Sequence, residues 1–167
     1  LKVQILPLPP RGSAVVALHY DTIREAMLAT QAVMTHQPFM CEMMDDTILK
    51  LARENPGQRK NSAFVHEMPR ALLLVEFRAA TDALATEKAH DIGTAAMQHP
   101  SSPATAAPVL TGAQNVAVVW DLRSAGLGIL GNMAGDAKAV ACIEDTAVAL
   151  EDLADYIDEV AELMALY

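Results

Sequence analysis

The sequence of 167 residues has few aromatic residues and only two cysteines. Because Phe, Trp and Tyr make up 4% of the chain, alanine and the nine methionines must supply much of the apolar volume of its core. Cys41 and Cys142 are too few and too isolated to form a disulfide framework or a cysteine metal site. We therefore expect two buried, unreactive thiols in a reducing compartment, the cytoplasm.

The sequence also lacks an excess of positive charge and a long hydrophobic run. The formal net charge is -9, which argues against a nucleic-acid partner. No apolar stretch approaches the roughly 18 residues of a membrane-spanning helix, so we expect no membrane span. A hydrophobic content of 52% is typical of a globular domain. The chain does not begin with Met and ends within a helical pattern, so we expect residues 1–167 to be one domain of a longer polypeptide.

The sequence shows no spacing typical of a metal site or a hydrolase nucleophile. None of the histidines lies four residues from another, or beside a cysteine at ligand spacing; they are His19, His36, His66, His90 and His99. No serine lies in a G-x-S-x-G motif. We expect neither a metal site nor a catalytic group of its own in this chain.

Periodicity and capping residues predict an irregular alternation of strands and helices. Strands are predicted at 2–10, 13–20, 71–77 and 139–145, and the apolar run at 71–77 is typical of a central strand. Helices are predicted at 22–36, 44–54, 82–98 and 150–164, and Thr22 with Glu25 forms a capping box. This order indicates an α+β sandwich, with helices packed on one face of a largely antiparallel sheet.

A segment at 118–145 holds four of the eight glycines. Its G-L-G-I-L-G, residues 126–131, matches a dinucleotide fingerprint. That motif binds a pyrophosphate only where it directly follows a strand and opens a helix, and here D-L-R-S-A intervenes. We reject the dinucleotide site, and predict instead a helix at 118–127 that loosens into a glycine-rich turn.

Arg123 and Lys138 flank this predicted turn and are the candidate substrate-binding residues. An arginine can bind a carboxylate with a planar, bidentate fork, and a lysine adds a mobile point charge. Both could converge on one small carboxylate ligand. The alternative is that they are surface cations paired with Asp121 and Asp136, and spacing alone favours this alternative.

Several blocks of the sequence resemble, in order, the C-terminal domain of FAD-linked oxidases. The blocks are C-E-M-M-D-D-T-I-L-K-L-A-R-E-N-P, A-L-L-L-V-E-F-R, W-D-L-R-S-A-G-L-G, G-D-A-K and I-E-D-T-A-V. This family includes the flavin subunit of glycolate oxidase, D-lactate dehydrogenases and D-2-hydroxyglutarate dehydrogenases. The resemblance extends over nearly the whole chain.

The resemblance implies a ferredoxin-like α+β cap over an FAD molecule that a separate N-terminal domain of the same polypeptide holds. Arg123 and Lys138 are similar to the family residues that hold the substrate carboxylate. A position that sometimes carries a hydroxyl in relatives is Leu127 here, which leaves the exact substrate open. The family's His-x-Gly-Asp-Gly-Asn-x-His block, with its metal or catalytic histidines, is not in these 167 residues.

The function implied for the full-length enzyme is the FAD-dependent oxidation of a D-2-hydroxy acid to the 2-oxo acid. An iron–sulfur protein is a candidate electron acceptor, and the isolated chain is expected to be inactive. The alternative is a non-catalytic α+β module for regulation or oligomerisation. An FAD domain upstream and the histidine block downstream in the same reading frame would distinguish the two.

Overall fold

The fold is taken from a computed structural model, which describes residues 3, 5, 7–131, 135–136, 143 and 145–166, except for the side chain at position 127. A short 3-10 helix at Leu150–Asp152 precedes the last helix. The other elements are, in chain order, β1 (Gly12–Tyr20), α1 (Ile23–Met34), β2 (Met40–Asp45), α2 (Asp46–Glu54), β3 (Ala71–Ala79), α3 (Asp82–Met97), β4 (Val109–Thr111), α4 (Gly112–Gly131) and α5 (Leu153–Met164).

Side-chain caps explain where three of the helices begin. The Thr22 hydroxyl accepts the backbone N–H of Glu25 at 3.1 Å and donates to the Glu25 carboxylate at 2.8 Å. The N-cap predicted at Thr22 is thus confirmed, but the Glu25 carboxylate accepts from the Thr22 hydroxyl, whereas a complete capping box uses the backbone N–H of the N-cap residue. Asp45 accepts the N–H of Ile48 at 3.0 Å at the start of α2, and Thr81 caps α3 in the same way.

The four strands form one antiparallel sheet in the order β2-β3-β1-β4. β1 and β3 pair over their full length, with Gly12 opposite Ala79 and Tyr20 opposite Ala71. Helices α1 and α3 each connect two strands that have a third strand between them. This is the ferredoxin-like arrangement, so the predicted α+β fold with a central strand at 71–77 is confirmed.

Alternate residues of the strands build two apolar layers. The first face of the sheet packs against α1 and α3; from β1 and β3 it presents Ala14, Val16, Leu18, Tyr20, Ala71, Leu73, Val75 and Phe77. The second face packs against α2 and α4; it presents Val15, Ala17, Leu72, Leu74 and Met44. All nine residues of β1 are buried because both faces are covered.

The second face corrects the expectation that helices pack on one face only. α4 buries Val116, Val119 and Leu122, at three-residue spacing, against this face. The sequence predicts a helix only at 118–127, which is the middle part of α4. Because α4 is apolar on much of its circumference, the helical period was hard to recognise.

Other local expectations differ from the structure. The predicted strand at 2–10 is wrong in its described part, since positions 3, 5 and 7–10 lie outside the strands. Three prolines, at positions 7, 9 and 10, remove backbone donors there. β2 and β4 were not predicted, because both are short and only partly buried. The predicted strand at 139–145 lies mostly outside the described residues.

Gly12 marks the tightest backbone crossing that glycine permits in the described part of the chain. A Cβ at this position would lie 2.1 Å from the carbonyl carbon of Thr81. The neighbouring Ser13 N–H donates to the Asp82 carboxylate at 2.9 Å. The start of β1 is therefore joined directly to the start of α3, and no larger side chain fits between them.

Candidate functional site

Helix α4 carries the W-D-L-R block and turns two of its side chains toward the second face of the sheet. Val119 and Leu122 are fully buried and hold the helix against the strands. Trp120 and Arg123 lie three residues apart, and therefore on one side of the helix. Each of them contacts a carboxylate on a strand.

Trp120 contacts Glu76, a fully buried carboxylate on the central strand β3. The Trp120 indole Nε1–H donates to Glu76 Oε2 at 2.6 Å. Arg78 Nε forms an ion pair with the other oxygen, Oε1, although the two groups do not have hydrogen-bond geometry. The Arg78 guanidinium also lies 5.1 Å from the centre of the Phe39 ring. The buried charge of Glu76 is thus compensated by two neighbours.

Arg123 contacts Glu42, which lies on the edge strand β2. The Arg123 Nε–H donates to Glu42 Oε2. The Arg123 side chain is 53% exposed and that of Glu42 is 27% exposed. The ion pair therefore lies at the solvent-facing margin of the sheet, one helical turn beyond the partly buried contact of Trp120 with Glu76.

The partner of Arg123 differs from both carboxylates that the surface-pair alternative named. Among the described residues, its ion pair is with Glu42, while Asp121 lies exposed on α4 and Asp136 is also exposed. Lys138 lies outside the described residues. The convergence of Arg123 and Lys138 on one ligand therefore stays a prediction.

The glycine-rich segment is helical for longer than predicted. α4 continues through Gly126 and Gly128 and ends at Gly131, so the predicted turn does not begin at 128. Gly126 is buried, and a Cβ there would lie 3.7 Å from the Ile48 side chain of α2. The helix persists because α2 packs on it and apolar residues alternate with the glycines.

The G-L-G-I-L-G motif lies in the last two turns of this helix. A pyrophosphate cradle needs the free N–H groups of a strand-to-helix turn, whereas here the motif ends a helix. The motif therefore does not fit the phosphates of a dinucleotide, in agreement with the context argument from the sequence.

Comparison with known proteins shows the family of this chain. The family model described as FAD linked oxidases, C-terminal domain, matches residues 9–167. The chain belongs to this family. It is also similar to D-2-hydroxyglutarate dehydrogenases of Pseudomonas putida, Pantoea ananatis and Escherichia coli K12, with 29%, 28% and 27% identity over 99%, 98% and 93% of the chain.

This FAD-linked oxidase C-terminal domain matches only a small part of the length of those relatives. The chain spans 17% of the length of the Pseudomonas protein and 16% of each of the other two. None of the helices in its described part is both long and apolar enough to cross a membrane.

Two acidic residues of the domain were missed by the sequence analysis. Glu76 interrupts the apolar run A-L-L-L-V-E-F, and a carboxylate inside a central strand needs a buried partner. That signal could have identified Glu76. Glu42 had no comparable signal, because the strand that carries it, β2, is short and only partly buried.

A second polar cluster lies on the second face near the end of β1. His19 is buried; its Nδ1 lies 2.9 Å from the Ala17 carbonyl oxygen and its Nε2 accepts the His66 N–H at 3.0 Å. Both ring nitrogens are therefore used, with the proton assigned to Nδ1. Burial lowers the pKa of His19 below its usual 6.5, so the ring is neutral at pH 7.

The cleft beside this histidine has a volume of about 220 Å³ and is lined by His19, Asp21, His66 and Thr105, among others. Within the described residues, no group of three His, Cys, Asp or Glu side chains is placed to hold a metal ion. His19 fixes the loop that contains His66, which is a structural role.

Cys41 has the low reactivity that the sequence analysis expected. It is partly buried on the first face, and burial raises the pKa of its thiol to about 11. The thiol is thus protonated at neutral pH. Cys142 lies outside the described residues.

Proposed function

We propose that this chain is the substrate-binding cap of a FAD-dependent dehydrogenase that oxidises a D-2-hydroxy acid to the 2-oxo acid. The family match over residues 9–167 and the three relatives named D-2-hydroxyglutarate dehydrogenase support this function. In the reaction the substrate loses a hydride from its α-carbon and a proton from its hydroxyl. The role of the cap is to bind and orient the substrate carboxylate.

The observation that carries the proposal is the exposure of the Arg123 side chain and its bond to Glu42. Its side chain is half exposed, and its Nε is held by Glu42 at the margin of the sheet. A guanidinium has five N–H donors, so the Nη groups can bind a ligand carboxylate while Nε keeps its protein partner. Such charge-assisted, bidentate bonds fix the direction of the ligand as well as its position.

Lys138 is proposed to add a second positive charge at the same carboxylate. It follows α4 by seven residues. An ammonium on a flexible stem supplies attraction without a fixed geometry, which complements the planar fork of Arg123. In an acidic chain, two cations at one ligand would make the local field favourable for an anion.

The flavin is proposed to lie on an N-terminal domain of the same polypeptide. When bound there, FAD supplies the hydride acceptor. The G-L-G-I-L-G motif of this chain, at the end of α4, does not provide a phosphate cradle, so the cap is proposed to bind and orient substrate only. An iron–sulfur protein remains a candidate electron acceptor.

The test is steady-state kinetics of the full-length enzyme with two substitutions. Arg123→Lys keeps the charge but loses the planar fork, and Lys138→Ala removes one charge. Because a charge-assisted hydrogen bond contributes about 1.5–3 kcal/mol, each change should lower kcat/KM roughly ten- to a hundredfold. Flavin absorbance should stay at wild-type stoichiometry.

The matched control is Arg24→Lys. Arg24 also pairs with carboxylates, Asp155 at 2.7 Å among them, but it lies on α1 against α5. This change should leave kcat/KM within about twofold. If the Arg123 and Lys138 variants behave like the control, the carboxylate role is wrong.

A complementary measurement concerns the chain by itself. Purified residues 1–167 should be colourless and should not oxidise 2-hydroxy acids. A flavin absorbance that corresponds to one flavin per chain in this preparation would contradict the proposal that FAD lies on the N-terminal domain. Self-association of the isolated chain, together with unchanged kinetics of both full-length variants, would favour the oligomerisation module instead.

A further inference from the structure

The ion pair between Glu42 and Arg123 joins the edge strand β2 to helix α4 at the proposed substrate site. We propose that Glu42 is a positioning residue: it holds the Arg123 guanidinium by Nε so that the Nη groups face the substrate carboxylate. This inference rests on the proposed function and adds a residue to it.

The backbone around Glu42 is rigid enough for this role. Glu42 pairs with Leu74 of β3, which lies in the centre of the sheet, and both neighbouring pairs, Cys41 with Val75 and Met43 with Leu73, are in register. The carboxylate therefore projects from a fixed ladder toward α4. Arg123, by contrast, has a long side chain whose many rotamers must be restricted before it can bind a planar ligand.

The helix side of the pair is fixed as well. Trp120 is anchored to the buried Glu76 by a hydrogen bond of 2.6 Å, one turn before Arg123. This anchor sets the rotation of α4 about its axis. The Glu42 contact then sets the guanidinium itself, so two carboxylates on adjacent strands orient the two ends of the W-D-L-R block.

A purely structural role explains this pair poorly. Both side chains are partly exposed, and exposed ion pairs contribute little to the stability of a fold. A bidentate contact with a ligand, on the other hand, depends on the orientation of the guanidinium plane, and a misplaced plane weakens the binding of the carboxylate. The exposed location thus suits orientation better than stabilisation.

Charge and orientation predict opposite effects for Glu42, which makes the inference testable. If the negative charge of Glu42 merely opposed an anionic substrate, removing it would tighten binding. If Glu42 orients Arg123, replacing its carboxylate by a neutral acceptor weakens the bond that holds the guanidinium, and substrate binding weakens with it. The sign of the change in KM therefore decides between the two roles.

The experiment uses the full-length flavoenzyme and a double-mutant cycle. Glu42→Gln should raise KM about five- to twentyfold while kcat changes less than about twofold, because ground-state and transition-state binding are lost together. Glu42→Asp, which keeps the charge on a shorter stem, should recover part of this loss. In the Arg123→Ala background, Glu42→Gln should change kcat/KM less than about twofold.

The control is Asp155→Asn, which removes one of the two carboxylates that pair with Arg24, at an exposed site on α5. It should leave both kinetic constants within about twofold. Thermal melting should show that the Glu42 variants are folded. A lower KM for Glu42→Gln, or an equal loss in both backgrounds, would overturn the positioning role. If Arg123→Ala itself leaves kcat/KM unchanged, then the proposed function of Arg123 fails, and this inference fails with it.

Discussion

The two faces of the sheet use the same strands for different purposes. On the first face, every β1 and β3 side chain in the core between Ala14 and Tyr20, and between Ala71 and Phe77, is apolar except for the Tyr20 hydroxyl. The second face carries the buried polar groups His19 and Glu76 between its aliphatic residues. Because neighbouring residues of a strand point to opposite faces, one residue separates the two environments.

The difference shows how a small domain can keep an apolar core beside a face that carries the proposed substrate site. The first face is covered by α1 and α3, and its packing needs no polar partners. On the second face Glu76 has Trp120 and Arg78 as partners and His19 has the His66 backbone, whereas the buried Ser13 hydroxyl has no hydrogen-bond partner among the described residues. We expect substitutions on the first face to affect stability, and those around Glu76 to affect both stability and substrate binding.

The largest expected effect is on the first face. Leu73→Ala removes a side chain that is 2% exposed, and should lower the free energy of unfolding by about 2–5 kcal/mol. Urea unfolding of the chain measures this change. KM of the full-length enzyme at low temperature should stay at the wild-type value, since Leu73 points away from α4.

Leu84→Ala on α3 is the control, because this leucine is 48% exposed. It should cost less than about 1 kcal/mol. A large change in KM for Leu73→Ala, with little loss of stability, would show that the two faces are not separate in function.

On the second face, Glu76→Gln should have the next largest effect. The amide oxygen can still accept the Trp120 indole N–H, but Arg78 loses its charged partner. A hydrogen-bonded or paired charge contributes about 1.5–3 kcal/mol, so we expect a loss of this size in urea unfolding. KM should also rise, because the Trp120 hydrogen bond to a neutral amide is weaker than the bond to a carboxylate and fixes the rotation of α4 less firmly.

Glu42→Gln is the matched substitution at the exposed margin of the same face. Its stability cost should stay below about 1 kcal/mol, as is usual for exposed ion pairs. Equal stability costs for the two glutamines would contradict the difference in burial on which this comparison rests.

His19 should give the second face a pH dependence in the weakly acidic range, whereas the raised pKa of Cys41 on the first face acts only at high pH. Its folded pKa is lowered by burial from 6.5, so below this pH the unfolded chain binds a proton before the folded chain does. The free energy of unfolding should therefore fall as the pH drops below 6.5, by up to about 1.4 kcal/mol per pH unit, and level off below the folded pKa.

Urea unfolding of wild type and His19→Gln between pH 7 and pH 5 measures this slope; the range is about that of histidine titration. The variant should show a flatter profile, whereas His90→Gln, at an exposed position of α3, should keep the wild-type profile. Asp46 does not interfere, because its pKa is lowered from 3.8 by the hydrogen bond from Lys50, and its contribution is lost only at lower pH. Identical slopes for all three proteins would rule out His19 as the source.

The sequence predicted the first face better than the second. Capping residues and clear periods marked β1, α1, β3 and α3, which form the first layer. Only residues 118–127 of α4 were predicted as helix, because glycines and apolar residues on all sides hide its period, and the second layer of helices was missed. β2 could not be recognised because its pairing with β3, rather than its own composition, makes it a strand.

The site was predictable only in part, for a related reason. The W-D-L-R block and its family resemblance made Arg123 a candidate, which stays a prediction, but a pairing between positions 42 and 123 is a long-range contact that no local pattern encodes. The expected partners Asp121 and Asp136 were near in sequence. On a helix, Asp121 faces away from the side that Arg123 shares with Trp120.

The smallest expected effect concerns the glycines of α4. It tests whether a glycine in this helix contributes to substrate binding at the expense of stability. Gly128 lies in the helix and is exposed, and a Cβ there would meet no atom within 4 Å. Since glycine within a helix costs about 0.5–1 kcal/mol relative to alanine, Gly128→Ala should stabilise the chain by that amount in urea unfolding.

Gly12→Ala is the opposite control: it should destabilise the chain, because its Cβ would collide with the Thr81 backbone. If Gly128→Ala stabilises the chain but raises KM in the full-length enzyme, the glycine serves close approach at the site rather than the fold. If it destabilises, α4 is not helical at this position, and the geometry proposed for Arg123 must be revised.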